Sequence, residues 1–477
     1  MLRFVVDQLS RSGLTRREWL RIGGLGSLGW AAGMASPVNS ARSAPQAAAA
    51  PGFGRAKSVI LIYASGGQSQ LETWDPKPDA PAEVRGEFRA IPTSVPGTLV
   101  GEHMPRLAKI ADKYTILRTL SHDDLDHGTA SYLTLTGRFH RQKSANPPPA
   151  PTDMPTFGAV LKRVRSTDRF IYDAVHLNAP ALVPTIQAPG QFAGILGNDY
   201  EPLVLGDVSA GDIAVPSLDP LPQLPPVRLH ARQTLQNALD TYRRELEADP
   251  LAKMDTVYRQ AFDLLDSPHW RQAFDLNAEP EALRDRYGRN RPGQACLLAR
   301  RLVEAGVPLV TVMWSHSNRG QDRAPDDTEA YGWDTHNDIF EALKIHVLPR
   351  FDQGFSALLE DLDARGLLEQ TLVVCVGEFG RAPLVALEPK FAGSTPGRKH
   401  WASVYSGAFA GAGVVRGGVV GASDRLAASP VTQRFGPWDV AATIFSALGI
   451  DPATHYRDPL DRPFAVAEGR PIAGLYG

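Results

Sequence analysis

Short runs in which apolar side chains follow one another, instead of alternating with polar ones, constrain this chain most. A strand with one wet face alternates, so an unbroken apolar run has to be covered on both faces. The clearest is KSVILIYA at 57–64, bounded by a linker and by Gly66-Gly67. YTILRTL (114–120), VPLVTVMW (307–314) and TLVVCVG (371–377) read the same way, and 404–410 reads as a fifth strand.

Helical patterns lie between these runs. GQACLLARRLVEAG precedes the third strand. Residues 337–365 place Ile339, Leu343, Val347, Leu348, Phe351, Phe355, Leu358, Leu359 and Leu362 at helical spacing, with Pro349 expected to kink the run. WDVAATIFSAL (438–448) reads as a closing helix. Strand–helix alternation with apolar strands predicts an α/β fold: a doubly wound, mostly parallel sheet with helices on both faces. Ligands in such sheets bind beyond the carboxyl ends of the strands.

Residues 141–290 break the pattern. They open with NPPPAPTDMP, contain VPSLDPLPQLPPVRLH, and continue into polar helical stretches at 231–249 and 251–265. This region is expected to be an inserted cap within one domain spanning 51–477. Residues 1–50 are expected to lie outside it. Thr15-Arg16-Arg17-Glu18-Trp19-Leu20-Arg21 followed by IGGLGSLGWAAGMA resembles a twin-arginine export signal, and ARSAPQAAAAP reads as a linker. The apolar run is short and glycine-rich, so no integral membrane span is expected in the mature chain, which would be periplasmic or extracellular. The two cysteines, Cys296 and Cys375, each sit in an apolar element and are expected to be buried free thiols. A net charge of −2 offers no basic field for nucleic acid.

Polar groups cluster just after the strands. After the first comes SGGQSQLETWDPK, in which Ser69 could be a nucleophile and Glu72 or Asp75 a metal ligand. SHDDLDH follows the second strand; His122 and His127, with three aspartates, could hold a metal or exchange protons. In Trp333-Asp334-Thr335-His336, the Asp and His two apart can face one point of an extended backbone. Their donors suit zinc, manganese or iron. Glu378 and Arg381 follow the fourth strand in GEFGR, where Arg381 could clamp an oxyanion. His400, in GRKHW, could be a ligand or a general acid, and Arg398 and Lys399 before it would favour an anionic substrate.

At these residues a family resemblance enters. GGQSQLETWDPKPDAPAEVRGEF, VPGTLVGEHMPRLA, GQFAGILGNDYEPLVLGD, LARRLVEAGV, WDTHND, LLEDLDARGLLEQTLVVCVGEFGRAP, GRKHW, GASD and DVAATIFSALGIDP resemble the family called domain of unknown function 1501. That family looks like a branch of the alkaline phosphatase and sulfatase superfamily. The resemblance implies a doubly wound core and one or two divalent metals held by Asp and His beyond the strand ends. It implies that Asp334, His336, Glu378 and His400 fall where the superfamily keeps its later ligands.

LTGR at the end of DHGTASYLTLTGR is similar to the tail of a nucleophile motif, which sets His127 in the nucleophile's place, nine residues before Thr136. The departures are informative. Strand one ends in Ala64-Ser65-Gly66-Gly67 without paired aspartates, and residues 127–131 read His-Gly-Thr-Ala-Ser. Lys399 stands where the family commonly has Asp.

The expected activity is hydrolysis of sulfate or phosphate esters, small or polymeric, by an exported enzyme that uses a divalent zinc, manganese or calcium ion. Asp334, His336, Glu378, His400, His122 and Glu72 are the candidate ligands; His127, Ser69, Arg381 and Arg398 are the candidate catalytic groups. The rival expectation is a catalytically degenerate binding or assembly protein that keeps the fold.

Overall fold

All six residues of Ser58–Tyr63 (β1) are buried. Ile60 and Ile62 point into one hydrophobic cluster, Val59, Leu61 and Tyr63 into another. Each fully buried aliphatic side chain there contributes about 1.5–3 kcal/mol, so β1 is held equally hard from both faces. The computed structural model describes residues 50–165, 172–183, 185–209, 213, 272–315, 317 and 331–477.

β1 is central to an eight-stranded sheet. The other strands, in chain order, are Tyr114–Leu120 (β2), Ala174–Leu177 (β3), Leu203–Leu205 (β4), Leu309–Met313 (β5), Thr371–Val376 (β6), Tyr405–Ala410 (β7) and Val419–Val420 (β8). The spatial order is β8-β2-β7-β6-β1-β5-β3-β4. β1 pairs in parallel with β5 and β6, β3 with β5 and β4, and β8 with β2. Only β7 runs antiparallel to its neighbours. The architecture is therefore the expected doubly wound, mostly parallel sheet.

Helices cover both faces. His127–Thr136 (α1), Phe157–Val164 (α2) and Pro437–Ala447 (α5) contribute to the cluster that receives Leu61 and Tyr63. Arg291–Glu304 (α3) and Leu348–Ala364 (α4) contribute to the opposite one. Ile339–Glu341, the π-helical Ala342–Val347 and α4 follow one another without a break, and Pro349, in the first turn of α4, lies directly after the π-helical stretch, where the regular helical ladder is already interrupted. Cys296 and Cys375 are buried and unpaired. Among the described residues, no helix is long and apolar enough to cross a membrane.

The region 141–290 is not all outside the sheet. β3 and β4 belong to it and extend the sheet beyond β5. Their shortness hid them, since three or four residues carry little periodicity. The helical stretches expected at 231–249 and 251–265, and the export signal, lie outside the described residues.

Parallel pairing sends the ends of β1, β2, β5 and β6 to one edge. The antiparallel β7 begins at that edge, with Tyr405 opposite Leu120. The chain segments after Tyr63, Leu120, Met313 and Val376, and the one before Tyr405, therefore meet there.

Candidate metal centre

Four side chains from three of these segments converge. His127, Asp334, His336 and His400 each offer a ligand atom, and all four atoms lie within 4.8 Å of one another. Nε2 of His336 and Nε2 of His400 are 2.8 Å apart. Nε2 of His127 lies 3.2 Å from Asp334 Oδ2, without the angle of a hydrogen bond. Asp334 Oδ1 is 3.2 Å from His336 Nε2 and 3.4 Å from His400 Nε2.

Each ring is aimed by a partner on its other nitrogen. His127 Nδ1 donates to Glu378 Oε1 at 2.6 Å, His336 Nδ1 to Glu388 Oε2 at 2.9 Å, and His400 Nδ1 to the Leu125 carbonyl at 2.6 Å. Carboxylates and carbonyls only accept, so these partners assign the Nδ1–H form to every ring. Three Nε2 atoms and a carboxylate then face one point, and His127 would give up its Nε2 proton for an ion to bind there. Ligating histidines are held this way, with an outer acceptor fixing tautomer and orientation. A buried donor set of three nitrogens and a carboxylate, with distances near the 3–4 Å separations of a shell about 2 Å from an ion, fits a divalent transition metal.

The local sequence explains the convergence. His127 opens α1, whose ten residues are all buried. The helix ends at Gly137, whose φ of 70° is left-handed and whose added Cβ would lie 2.7 Å from that of Ala441. Asp334 and His336 stand two apart in the loop that leads into the helical run at Ile339. Gly397 passes so close that a Cβ there would be 2.2 Å from the His336 carbonyl oxygen, which brings the two-residue strand His400–Trp401 alongside.

Asn337 and Asp338 then fasten the loop 386–397. Asn337 Nδ2 donates to the carbonyls of Glu388, Phe391 and Ala392, and its Oδ1 accepts from Glu388 N–H. Asp338 Oδ1 accepts from the N–H groups of Ser394 and Thr395. The loop delivers Glu388 to His336 and stacks Phe391 on its ring, centroids 3.7 Å apart. Lys399 pairs with Glu388 at 2.6 Å. Against the burial that would raise it, Lys399 and His336 hold the Glu388 carboxyl below its usual value. Glu388 and Phe391 had no motif or spacing to mark them, and Asn337 and Leu125, though inside WDTHND and SHDDLDH, were not singled out, because these roles depend on where a loop returns.

Charge is unevenly placed. Burial alone would lower His127, but Asp334 and Glu378 outweigh it and push the imidazole up to about 9. Burial and the neighbouring His127 push His400 down to about 3. Burial would raise Asp334, but His127 and Arg381 hold it well below the carboxylate range.

The remaining candidates take other positions. Glu378 is fully buried behind His127, accepts from Gly66 N–H at 2.8 Å, and leaves Oε2 without a partner. His122 Nε2 donates to the Glu378 carbonyl at 2.6 Å and its Nδ1 accepts from Asp124 N–H, so neither nitrogen is open. Arg381 is fully buried and donates to Asp334 Oδ1 at 2.6 Å and to the carbonyls of Gly66, Gly67 and Arg398.

Glu72, Ser69 and Arg398 form a separate group. Arg398 binds both Glu72 oxygens and the carbonyls of Val84, Ala382 and Pro383, while Ser69 donates to Glu72. Within the His-Gly-Thr-Ala-Ser stretch the Thr129 hydroxyl donates to Asp124, and that of Ser131 pairs with Tyr63.

One protein-family model, described as "Protein of unknown function (DUF1501)", matches residues 56–476. No curated protein matches the chain. Among solved structures, "Ps i-CgsB" is 12% identical with a TM-score of 0.41, over 88% of this chain and 76% of that one. A phosphonate monoester hydrolase from Silicibacter pomeroyi is 14% identical with a TM-score of 0.39, over 88% and 76%. The sulfatase PsFucS1 from Pseudoalteromonas sp. is 15% identical with a TM-score of 0.38, over 84% and 68%.

Proposed function

The chain belongs to the DUF1501 family, and on the geometry of its cluster we propose that it is an exported, metal-dependent hydrolase of sulfate or phosphate esters. The observation that carries this reading is the convergence of three imidazole nitrogens and the Asp334 carboxylate within 4.8 Å of one another. His127, Asp334, His336 and His400 would hold the ion. Three imidazoles favour zinc over manganese, which prefers oxygen donors, and over calcium, which takes six to eight oxygens. A bound divalent ion would polarise an ester oxygen and acidify water.

The chain's own groups prepare that site. Glu378, Glu388 and the Leu125 carbonyl orient the three rings. Arg381 keeps Asp334 ionised and in place. His127 is a ligand in this reading, not a nucleophile, because its free nitrogen faces the same point as the other two. Arg398 is occupied by Glu72 and backbone carbonyls, which leaves it a structural role.

The second reading, a degenerate scaffold that binds or assembles, draws on one observation: Ser69, the candidate nucleophilic hydroxyl, donates to Glu72, away from the metal cluster. Elemental analysis separates the two, comparing the folded protein with an Asp334→Ala/His400→Ala variant. Near-stoichiometric metal that the variant lacks, with chelator-sensitive turnover on a panel of sulfate and phosphate esters, is expected. No metal in either protein would sink the hydrolase reading.

A further inference from the structure

The connection that leaves β1 folds into a groove of about 390 Å³, lined by Leu71, Lys77, Arg85, Phe88 and Arg89 among others. We propose that this groove binds a second anionic group of the substrate, a sulfate or phosphate other than the one at the metal cluster, so that the substrate is a polyanionic chain. This rests on the hydrolase reading above.

The charges in the groove are not balanced. Its lining holds three cations and one acid, Glu87. Lys77 is compensated by Asp75 at 2.9 Å. Arg85 and Arg89 are exposed, and among the described residues neither guanidinium has an acidic partner. This contrasts with Arg381 and Arg398, whose guanidinium groups are saturated within the protein. Two fork-shaped donors left open at the rim of a groove suit the oxygens of sulfate or phosphate.

The backbone that carries them is anchored. Arg398 holds the Val84 carbonyl at 2.8 Å. Gly86, at φ 73°, is pressed so near Phe340 that a Cβ would lie 2.6 Å from its ring. Phe88 packs edge-on against His103 and Phe340. Arg89 N–H donates to Glu102 Oε1 at 2.9 Å, and the Arg89 carbonyl accepts from Glu102 N–H at 2.9 Å. The two arginines therefore rise from an anchored backbone, which lowers the backbone entropy lost on binding. Arg398 also ties this frame to the cluster, since its carbonyl accepts from Arg381, which holds Asp334.

The test is calorimetric titration of dextran sulfate, with neutral dextran as control, into the full chain and an Arg85→Gln/Arg89→Gln variant at two salt concentrations. The wild type should bind dextran sulfate alone. The variant should bind at least about tenfold more weakly, with a salt dependence shallower by about one to two in log–log slope, as for loss of two contacts with a polyanion. An unchanged affinity and slope, or no binding by the wild type, would overturn the proposal. Repeating the titration with Asp334→Ala separates the two ideas. Binding retained by Asp334→Ala, which is expected to lack metal, places the anion contacts outside the cluster, whereas a wild type that binds dextran sulfate but carries no metal keeps the anion groove and sinks the hydrolase. Metal retained with an Arg85→Gln/Arg89→Gln variant that binds like wild type sinks the groove alone.

Discussion

Nε2 of His336 and Nε2 of His400 face each other across 2.8 Å, and in the neutral rings neither carries a proton, because each Nδ1 donates outward to Glu388 or Leu125. Two lone pairs that close repel, so the arrangement is stable only with a proton or a metal ion between them. Replacing either ring by alanine should weaken metal binding by more than about 100-fold, beyond the 10–100-fold typical of an outer partner. Chelator competition on the purified variants measures this; an unchanged affinity would remove these residues from the ligand set.

Glu388→Gln keeps the shape of the side chain and removes its charge. His336 loses its acceptor strength and part of its orientation, so metal affinity should fall by about 10–100-fold while the fold persists. Lys399→Met should do less, because the Lys399 side chain is 64% exposed and its pair with Glu388 is screened by water. Equal losses from the two variants would mean that Lys399, not Glu388, dominates.

Asn337→Ala removes three donations, to the carbonyls of Glu388, Phe391 and Ala392. The loop 386–397 should then exchange its amide hydrogens faster, while β1 and β6 stay protected. Hydrogen exchange followed by mass spectrometry reads both. Uniform acceleration across the sheet would show that Asn337 supports the whole core rather than the loop.

The Glu72–Arg398 pair should matter for folding and not for metal. Both residues are at most 1% exposed, so Glu72→Ala leaves a buried guanidinium uncompensated and should cost about 3–5 kcal/mol. The Glu72→Ala/Arg398→Met double variant should lose less than the two single losses added together. Denaturant unfolding measures the stabilities. Loss of metal from still-folded Glu72→Ala would contradict the structural role.

His176, in β3, is buried, and among the described residues neither ring nitrogen has a hydrogen-bond partner. Burial pushes its pKa from 6.5 down to about 4. Between those values the unfolded chain takes up a proton that the folded chain refuses, so stability falls as pH drops from 6.5 to 4 and is unaffected above that window. The full loss is about 3 kcal/mol. His176→Leu should shrink the difference in unfolding free energy between pH 7 and pH 5. If that difference is unchanged, other groups set the acid sensitivity.

Much of this was legible in the sequence. Consecutive apolar residues marked β1, β2, β5 and β6, because burial on both faces leaves no polar alternation. The pattern Asp334-Thr335-His336 placed two donors on one side of an extended stretch before any contact was known. The short β3 and β4 were not legible, since three or four residues give no usable period and β5, which β3 pairs with, is more than a hundred positions away in the chain.

The sequence by itself determined the class of fold and put the polar groups at strand ends, because periodicity and composition are local properties. Tertiary structure alone decided how those groups combine. Glu72 and Arg398, 326 residues apart, pair with each other, and Glu378, 251 residues from His127, stands behind a ring rather than beside it. Such choices depend on strand order and on which loop returns past which, and a buried charge or ring nitrogen takes whatever partner that order brings within about 3 Å.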